Sequence, residues 1–580
     1  MTATQAKPAA SIRICSIEEL ERDKMRVVSA GGHTILVLLE QGEVFALDNR
    51  CPHMGFPLNR GTVRDGILTC HWHHAKFDLA GGCTLDPFAD DVPAFRTEVR
   101  DGIIYLDPQP VALDRRTQAV RKLKEGLEQN IRLVQAKSVI SLEELGATDD
   151  VLLATSLFGL TNRASGWSTG LSIFTALVNV LPSLDDDDRR LALFQGVVHV
   201  ARSTQGQPPN FDLEALDTTE TRPSRYLEWF RRFADNRSEE AAERALRTAI
   251  RLGFPAGAVG DMVFAACTDH LYLDEGHTLD FANKAFELLD HLGWEHAPEV
   301  LPALIPGLVR SQRMEETGSW RHPVDLPALL KETFAELDAL IAAGLRHPQP
   351  QWQGHQEIAE TILDAEPAET LAALRELLRD GVPLVELSAA VAYAAARRSV
   401  HFHISNEFGD WDTVHHTFTY TNAVDQALRR SSSRLLARGI FDGAMSVYLE
   451  RFLNVPKEPI PVAKGAPVSE RELLAAFDVQ GHVDETAQIV AELLHAGHQE
   501  AVIRTLGHAL LREDAGFHQF QIYEAALRQY RRFAGTSLGD HVLIGAARFL
   551  SAHSPTVRAV GQTFDIAARL HRGEALQGGA

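Results

Sequence analysis

Cysteine is scarce in this chain: five among 580 residues, with no framework spacing, which excludes a scaffold stapled by disulfides. No apolar run is long enough to cross a bilayer, the longest weakly polar stretch being Leu387 to Ala396. The opening residues, MTATQAKPAASIRIC, lack the apolar core of a secretory signal. The expectation is a cytoplasmic protein with no membrane contact. Basic residues are outnumbered, 57 against 78 acidic ones, and the formal net charge of −21 argues against nucleic acid and anionic lipid as partners. The stripe Arg115, Arg116, Arg121, Lys122 and Lys124 is local and reads as a solvated helix face. What is present is ordinary globular composition, 45% hydrophobic and 23% charged, in a chain too long for one core, so several domains are expected.

One stretch dictates a specific chemistry. In CPHMGFPLNRGTVRDGILTCHWHH, Cys51 and His53 form a Cys-x-His pair, sixteen residues intervene, and Cys70 with His73 forms a Cys-x-x-His pair. Two thiolates and two imidazoles on two loops suit a [2Fe–2S] cluster in which one iron takes both sulfurs and the other both nitrogens. Zinc accepts the same four donors in a tetrahedron, so donor type alone leaves both metals open. Zinc fingers usually keep each short pair of one kind, whereas here each loop supplies one Cys and one His. The run CPH, then Gly61 and Gly66, then CxWHxxxFDLxxG from Cys70 through Phe77 and Asp78 to Gly82, resembles the Rieske ferredoxin domain.

That resemblance implies Cys51 and Cys70 on the inner iron and His53 and His73 on the outer one. His71 and His74 stand where such domains often have Pro and Gly, and are read as loop surface. Phe56 stands near where high-potential relatives carry a disulfide cysteine, which implies the ferredoxin or oxygenase type, toward the lower end of roughly −150 to +300 mV. Cys15, Cys83 and Cys267 are left as free thiols.

The pattern predicts short strands from Ser11 to Asp107, with hairpins at Gln41-Gly42 and Asp101-Gly102. After Pro108 to Pro110 it changes for good. A basic amphipathic helix is predicted over Thr117 to Ala136, and helix then follows helix to the end. Asp185 to Asp188 place four carboxylates ahead of one of them, which suits a helix N-terminus better than a metal site. The Pro-rich segment Val455 to Pro467 reads as a linker. The fold class is thus multidomain, an all-β Rieske-like domain followed by a large all-α region. The expected limits are 11–110 for the Rieske domain, 111–145 for a helical linker, 146–455 for a His-rich α domain and 456–580 for a C-terminal α subdomain.

Twenty of the 25 histidines lie outside the β domain. HTLDFAN, His277 to Asn283, and HTFTYTN, His416 to Asn422, read as a duplication, each expected to open a helix. His277 and His416 are the candidate catalytic residues, as ligands of a second metal, a non-haem iron, or as acid–base groups. A Rieske oxygenase iron site of the usual kind is not legible: the nearest spacing, His291 and His296, has Leu at 288 where the family has Asp, and the strands of a helix-grip domain are lacking. The run HTLDFANKAFELLDHLG resembles helical questin-oxidase-like proteins, which implies oxidative chemistry on an aromatic ketone. The expected function is an oxygenase-like oxidoreductase in which the cluster feeds electrons to a helical catalytic half. A reductase and a small organic substrate would be its partners, and homo-oligomers are compatible with it. The alternative is an electron-transfer or redox-sensing adaptor whose helices are a docking scaffold.

Overall fold

In the computed structural model, which describes residues 11–85, 89–111, 114–163, 166–431 and 433–572, left-handed turns set the register of the first strands. Gln41 (φ 52°) and Gly42 (φ 85°) join β3 (His33–Glu40) to β4 (Glu43–Asp48), following β1 (Ile12–Ser16), α1 (Ile17–Asp23) and β2 (Met25–Ala30). After β5 (Thr62–Arg64), β6 (Ile67–Thr69) and β7 (Lys76–Asp78), Asp101 (φ 50°) and Gly102 (φ 74°) likewise join β8 (Phe95–Arg100) to β9 (Ile103–Pro110). Three antiparallel three-stranded sheets result, ordered β1-β9-β8, β2-β3-β4 and β5-β6-β7. Strand β3 is buried on both faces. Its Leu36 and Leu38 join Leu47, Leu68, Phe77 and the two cluster-loop cysteines, while Ile35 and Val37 join Ile104 and Leu106.

The described residues divide into two compact units, one running through Thr155 and resuming at Gln562, the other from Ser156 to Gly561. These limits differ from the composition shifts. The stretch expected as a linker holds α2 (Arg115–Glu128) and α3 (Arg132–Glu144), both within the first unit. The single helix expected over Thr117 to Ala136 breaks because Asn130 takes a left-handed conformation (φ 52°), with the Ile131 N–H donating to Gly126 O at 3.0 Å. Part of the basic stripe also turns inward: Lys122 is buried and lies 3.0 Å from Glu125.

Among the described residues every strand precedes residue 111, and the second unit is helical. No helix there is long and apolar enough to cross a membrane. The acidic run Asp185 to Asp188 opens a helix, Asp186–Thr204, as expected. Four helices frame the unit's polar centre: α4 (Thr169–Val180), α5 (His277–Leu292), α6 (Phe408–Arg430) and α7 (Phe517–Arg532). Helix α5 packs on α4 and α6, and α7 packs on α4 and α6. His277 opens α5, but His416 does not open α6. That helix starts a full two turns earlier, where the Glu407 N–H donates to Asp410 Oδ2 at 3.1 Å. The Pro-rich stretch is not a free hinge: the N–H groups of Lys464, Gly465 and Ala466 converge on the Glu492 carboxylate at 2.8 to 3.1 Å.

Candidate functional site

The loop from β4 to β5 carries Cys51 and His53, and the hairpin from β6 to β7 carries Cys70 and His73. Backbone bonds shape both loops: the Cys51 N–H donates to Phe56 O at 2.9 Å, Gly55 N–H to Cys51 O at 2.7 Å, and Cys70 N–H to Ala75 O at 2.9 Å. Gly55 (φ 83°) and His74 (φ 61°) supply the left-handed turns that reverse the chain. From α3, Lys137 Nζ donates to Pro52 O at 2.7 Å and to Asp90 Oδ2 at 2.8 Å, tying the first loop from outside the strands.

Both cysteines are 1% exposed and belong to the apolar core, while His73 is exposed. The His53 and His73 rings meet edge to face with centroids 4.7 Å apart, and Trp72 stacks on His73 at 4.7 Å. Burial, with the adjoining Cys70, pushes the Cys51 thiol up to about 12. Two thiolates in this pocket therefore need positive charge beside them, as a pair of ferric or ferrous ions provides. With two soft donors inside and two imidazoles at the rim, the residues fit a [2Fe–2S] cluster. His71 and His74 stay outside the cage: His71 Nε2 lies 3.3 Å from Thr62 Oγ1, and His74 is an exposed turn residue.

A second centre sits in the helical unit. The ligand atoms of His277, His416 and His518 all lie within 4.8 Å of one another. Ring centroids are 4.5 Å apart for His277 and His416 and 4.8 Å for His416 and His518, whose Nε2 atoms are 2.9 Å apart. On the far side of each ring stands a carboxylate: Glu275 Oε2 is 3.3 Å from His416 Nδ1, and Asp412 Oδ1 is 2.9 Å from His518 Nδ1. Burial, then the neighbouring imidazoles, lowers His277 to about 4 and His416 to about 3, so these rings are neutral at physiological pH. Burial alone would raise Asp412, but the His518 contact and the neighbouring histidines outweigh it and leave the acid below its ordinary range.

Glu275 and His277 are delivered by strained backbone. Tyr272 (φ 46°), Asp274 (φ 52°) and Glu275 (φ 53°) are left-handed non-glycine residues, each costing on the order of 1–3 kcal/mol, and Gly276 (φ 92°) follows. A Cβ at Gly276 would lie 2.8 Å from Tyr420 Cβ, so only glycine lets α5 and α6 close at this point. One turn along, Asp280 takes a hydrogen bond from Gln521 Nε2 at 3.1 Å, and burial raises its carboxyl to about 7. Below that, Lys284 Nζ sits between Glu287 Oε2 (2.8 Å) and Glu524 Oε2 (2.7 Å), all three buried.

The sequence expectation named His277 and His416, and the structure brings them together. Sequence reasoning missed His518, Asp412 and Glu275 as members of the group. The usable signal was polar residues recurring at helical spacing along buried faces, His277-Asp280-Lys284-Glu287 on α5 and His518-Gln521-Glu524 on α7. His291 and His296 do not converge: His291 Nε2 lies 2.8 Å from Asn179 Oδ1, while His296 Nδ1 lies 3.9 Å from Glu299.

Comparison with known proteins reaches the first unit. The family model for the Rieske [2Fe-2S] domain matches residues 10–96. Human apoptosis-inducing factor 3 is 33% identical over 112 residues, which is 19% of this chain and 18% of that protein. The ferredoxin component of the alkene monooxygenase system of Xanthobacter autotrophicus is 28% identical over 101 residues, 17% of this chain and 83% of that protein. Among solved structures, the ferredoxin of carbazole 1,9a-dioxygenase from Nocardioides aromaticivorans is 21% identical and overlaps 17% of this chain and all of its own, with a TM-score of 0.17. This chain thus spans under a fifth of apoptosis-inducing factor 3 but most of a free-standing ferredoxin. Cys51, His53, Cys70 and His73 lie in a Rieske [2Fe–2S] domain that occupies residues 10–96.

Proposed function

We propose that the chain is a cytoplasmic Rieske oxidoreductase of the oxygenase kind, in which Cys51, His53, Cys70 and His73 hold the cluster and the helical unit acts on a small organic molecule. The bound cluster supplies electrons one at a time. The exposed edge of His73 offers the exit, and the buried cysteines keep the inner side dry. An upstream reductase provides the electrons. Inserting one oxygen atom into substrate consumes O₂, two electrons and two protons and releases water, so a one-electron carrier serves such chemistry twice per turnover.

The observation that carries this reading is the convergence of His277 and His416 in the helical unit. A docking scaffold has no need of neutral imidazoles gathered in a strained, half-buried pocket, whereas a second metal, a non-haem iron, has. Iron, zinc and acid-labile sulfide are to be counted in anaerobically purified protein, with paramagnetic resonance after dithionite. The cluster alone accounts for two irons and two sulfides. Metal beyond that, lost in His277→Ala and His416→Ala with the cluster signal intact, is the expected result. Cluster iron only, unchanged in both variants, makes the chain an electron-transfer adaptor instead.

A further inference from the structure

The two facing nitrogens of His416 and His518 pose a problem of hydrogen bonding. Each ring has its Nδ1 nearest a carboxylate, Glu275 at 3.3 Å and Asp412 at 2.9 Å, and the negative charge there favours the proton on Nδ1. The Nε2 atoms are then bare lone pairs, yet they stand 2.9 Å apart. Two acceptors hold such a distance only when something positive lies between or beside them. A shared proton would satisfy a pair. It does not account for a third imidazole: His277 approaches from another helix, its ring 4.5 Å from His416 and its ligand atom within 4.8 Å of both others. Carboxylates behind imidazoles, fixing tautomer and direction, are the usual outer support of metal-bound histidine.

Resting on the reading above and extending it, we infer that His277, His416 and His518 form a three-histidine site for a divalent first-row metal ion, positioned by Glu275 and Asp412, whose open positions take substrate through an anionic oxygen. The charge balance fixes the substrate class. Three neutral imidazoles cancel none of the metal's two charges, and both carboxylates face away from the nitrogens that would bind it. In a partly buried pocket the uncompensated charge favours an anionic ligand over water. Phe281 and Phe517, each with its ring 5.6 Å from that of His277, give the same place an apolar wall. A phenolate or enolate on an apolar body meets both demands.

The test uses the full-length, cluster-loaded chain, exposed anaerobically to Fe(II), desalted, and assayed for metal by plasma mass spectrometry. Wild type is expected to carry one iron beyond the cluster's two. His518→Asn is expected to lose it, and Asp412→Asn to weaken Fe(II) affinity by roughly 10–100-fold, with far-UV dichroism and the cluster's resonance unchanged in both. Catechol, titrated calorimetrically, is expected to bind the metal-loaded chain and not the His518→Asn variant. Should His277→Ala lose the extra iron while His518→Asn and Asp412→Asn keep it at wild-type affinity, a second metal stands and the three-histidine site falls. Wild type with no metal beyond the cluster overturns the site and the preceding reading together. Equal binding of catechol with and without the metal overturns the substrate assignment alone.

Discussion

The two candidate donor sets are built in opposite ways. In the first unit four donors come from two loops within Cys51 to His73, their sulfurs packed into an apolar core and the His73 edge left to solvent. In the helical unit three imidazoles come from residues 277, 416 and 518 on three helices, and beside the Phe281 and Phe517 rings stand titratable groups: Glu275, Asp412, and below them Asp280, Lys284 and Glu524. A loop cage needs its short-range spacing and little else, because the chain itself carries the donors to the same place. A site gathered from distant helices exists only while the whole bundle holds its register, so its support is written into buried polar residues. The first kind withstands change outside its loops except where an outer residue reaches them, as Lys137 reaches Pro52 O. The second is exposed to it.

The sharpest break of this comparison is Cys70→Ala. It removes an inner donor, and the expected outcome is complete loss of sulfide and of the reduced-state resonance signal. The unfolding transition of the helical unit should stay where it was, since that unit has its own core. A shifted helical transition would show that the cage supports both units.

Next comes Lys284→Met. Lys284 is fully buried with two carboxylates on its ammonium, and their charges outweigh burial to hold it protonated. Removing it leaves Glu287 and Glu524 buried with only the half-exposed Arg528 as counter-ion, which should cost about 3–5 kcal/mol of helical-unit stability in urea titrations, with the cluster's spectrum unchanged. A loss below about 1 kcal/mol would mean that Asn179 and Arg528, which also contact these carboxylates, suffice.

How much could be read beforehand follows the same division. The β domain, its two tight hairpins and the two loops that carry Cys51, His53, Cys70 and His73 were legible because spacing, turn residues and alternation are local. The helical class was legible from periodicity. What was not legible was register between helices: the expectation that His416 opens a helix failed because the cap lies at Glu407 and Asp410, outside the repeated HT motif. His518 was visible as a histidine near Glu513 and Asp514, but in the fold its partner is Asp412, on another helix. Long-range pairing of this kind leaves only an indirect trace, the polar stripes of α5 and α7.

A third prediction tests whether the loop cage is as self-sufficient as its spacing implies. Lys137, buried on α3 outside residues 10–96, bonds the carbonyl of Pro52, the residue between Cys51 and His53. Lys137→Met leaves that carbonyl without its donor and breaks the ion pair with the half-exposed Asp90, and should destabilise the first unit by roughly 1–3 kcal/mol and broaden the reduced cluster's resonance. No change in either would mean that the loops hold the cage unaided.

The last effect is a slope rather than a step, and it belongs to the helical unit because that is where buried acids lie. Glu450 is buried, its one oxygen bonded by the Thr417 hydroxyl and the other without a hydrogen-bond partner among the described residues. Burial raises its carboxyl to about 8, the Thr417 bond and the Arg398 charge offsetting only part of this. In the unfolded chain the same group ionises near 4.5. Between those values the folded state keeps a proton that the unfolded state has released. Unfolding therefore liberates protons, and stability contributed by this residue falls as pH rises, by about 1.4 kcal/mol per pH unit, until the folded carboxyl ionises too. Glu450→Gln keeps an acceptor for Thr417 and removes the titration. The difference in helical-unit stability between variant and wild type, from urea midpoints at several pH values, should be least near pH 4.5 and widen in the variant's favour toward pH 8. Parallel curves would place Glu450 in a wetter, better-paired site than its burial implies, and would bring the helical core closer in character to the apolar one beneath the cage.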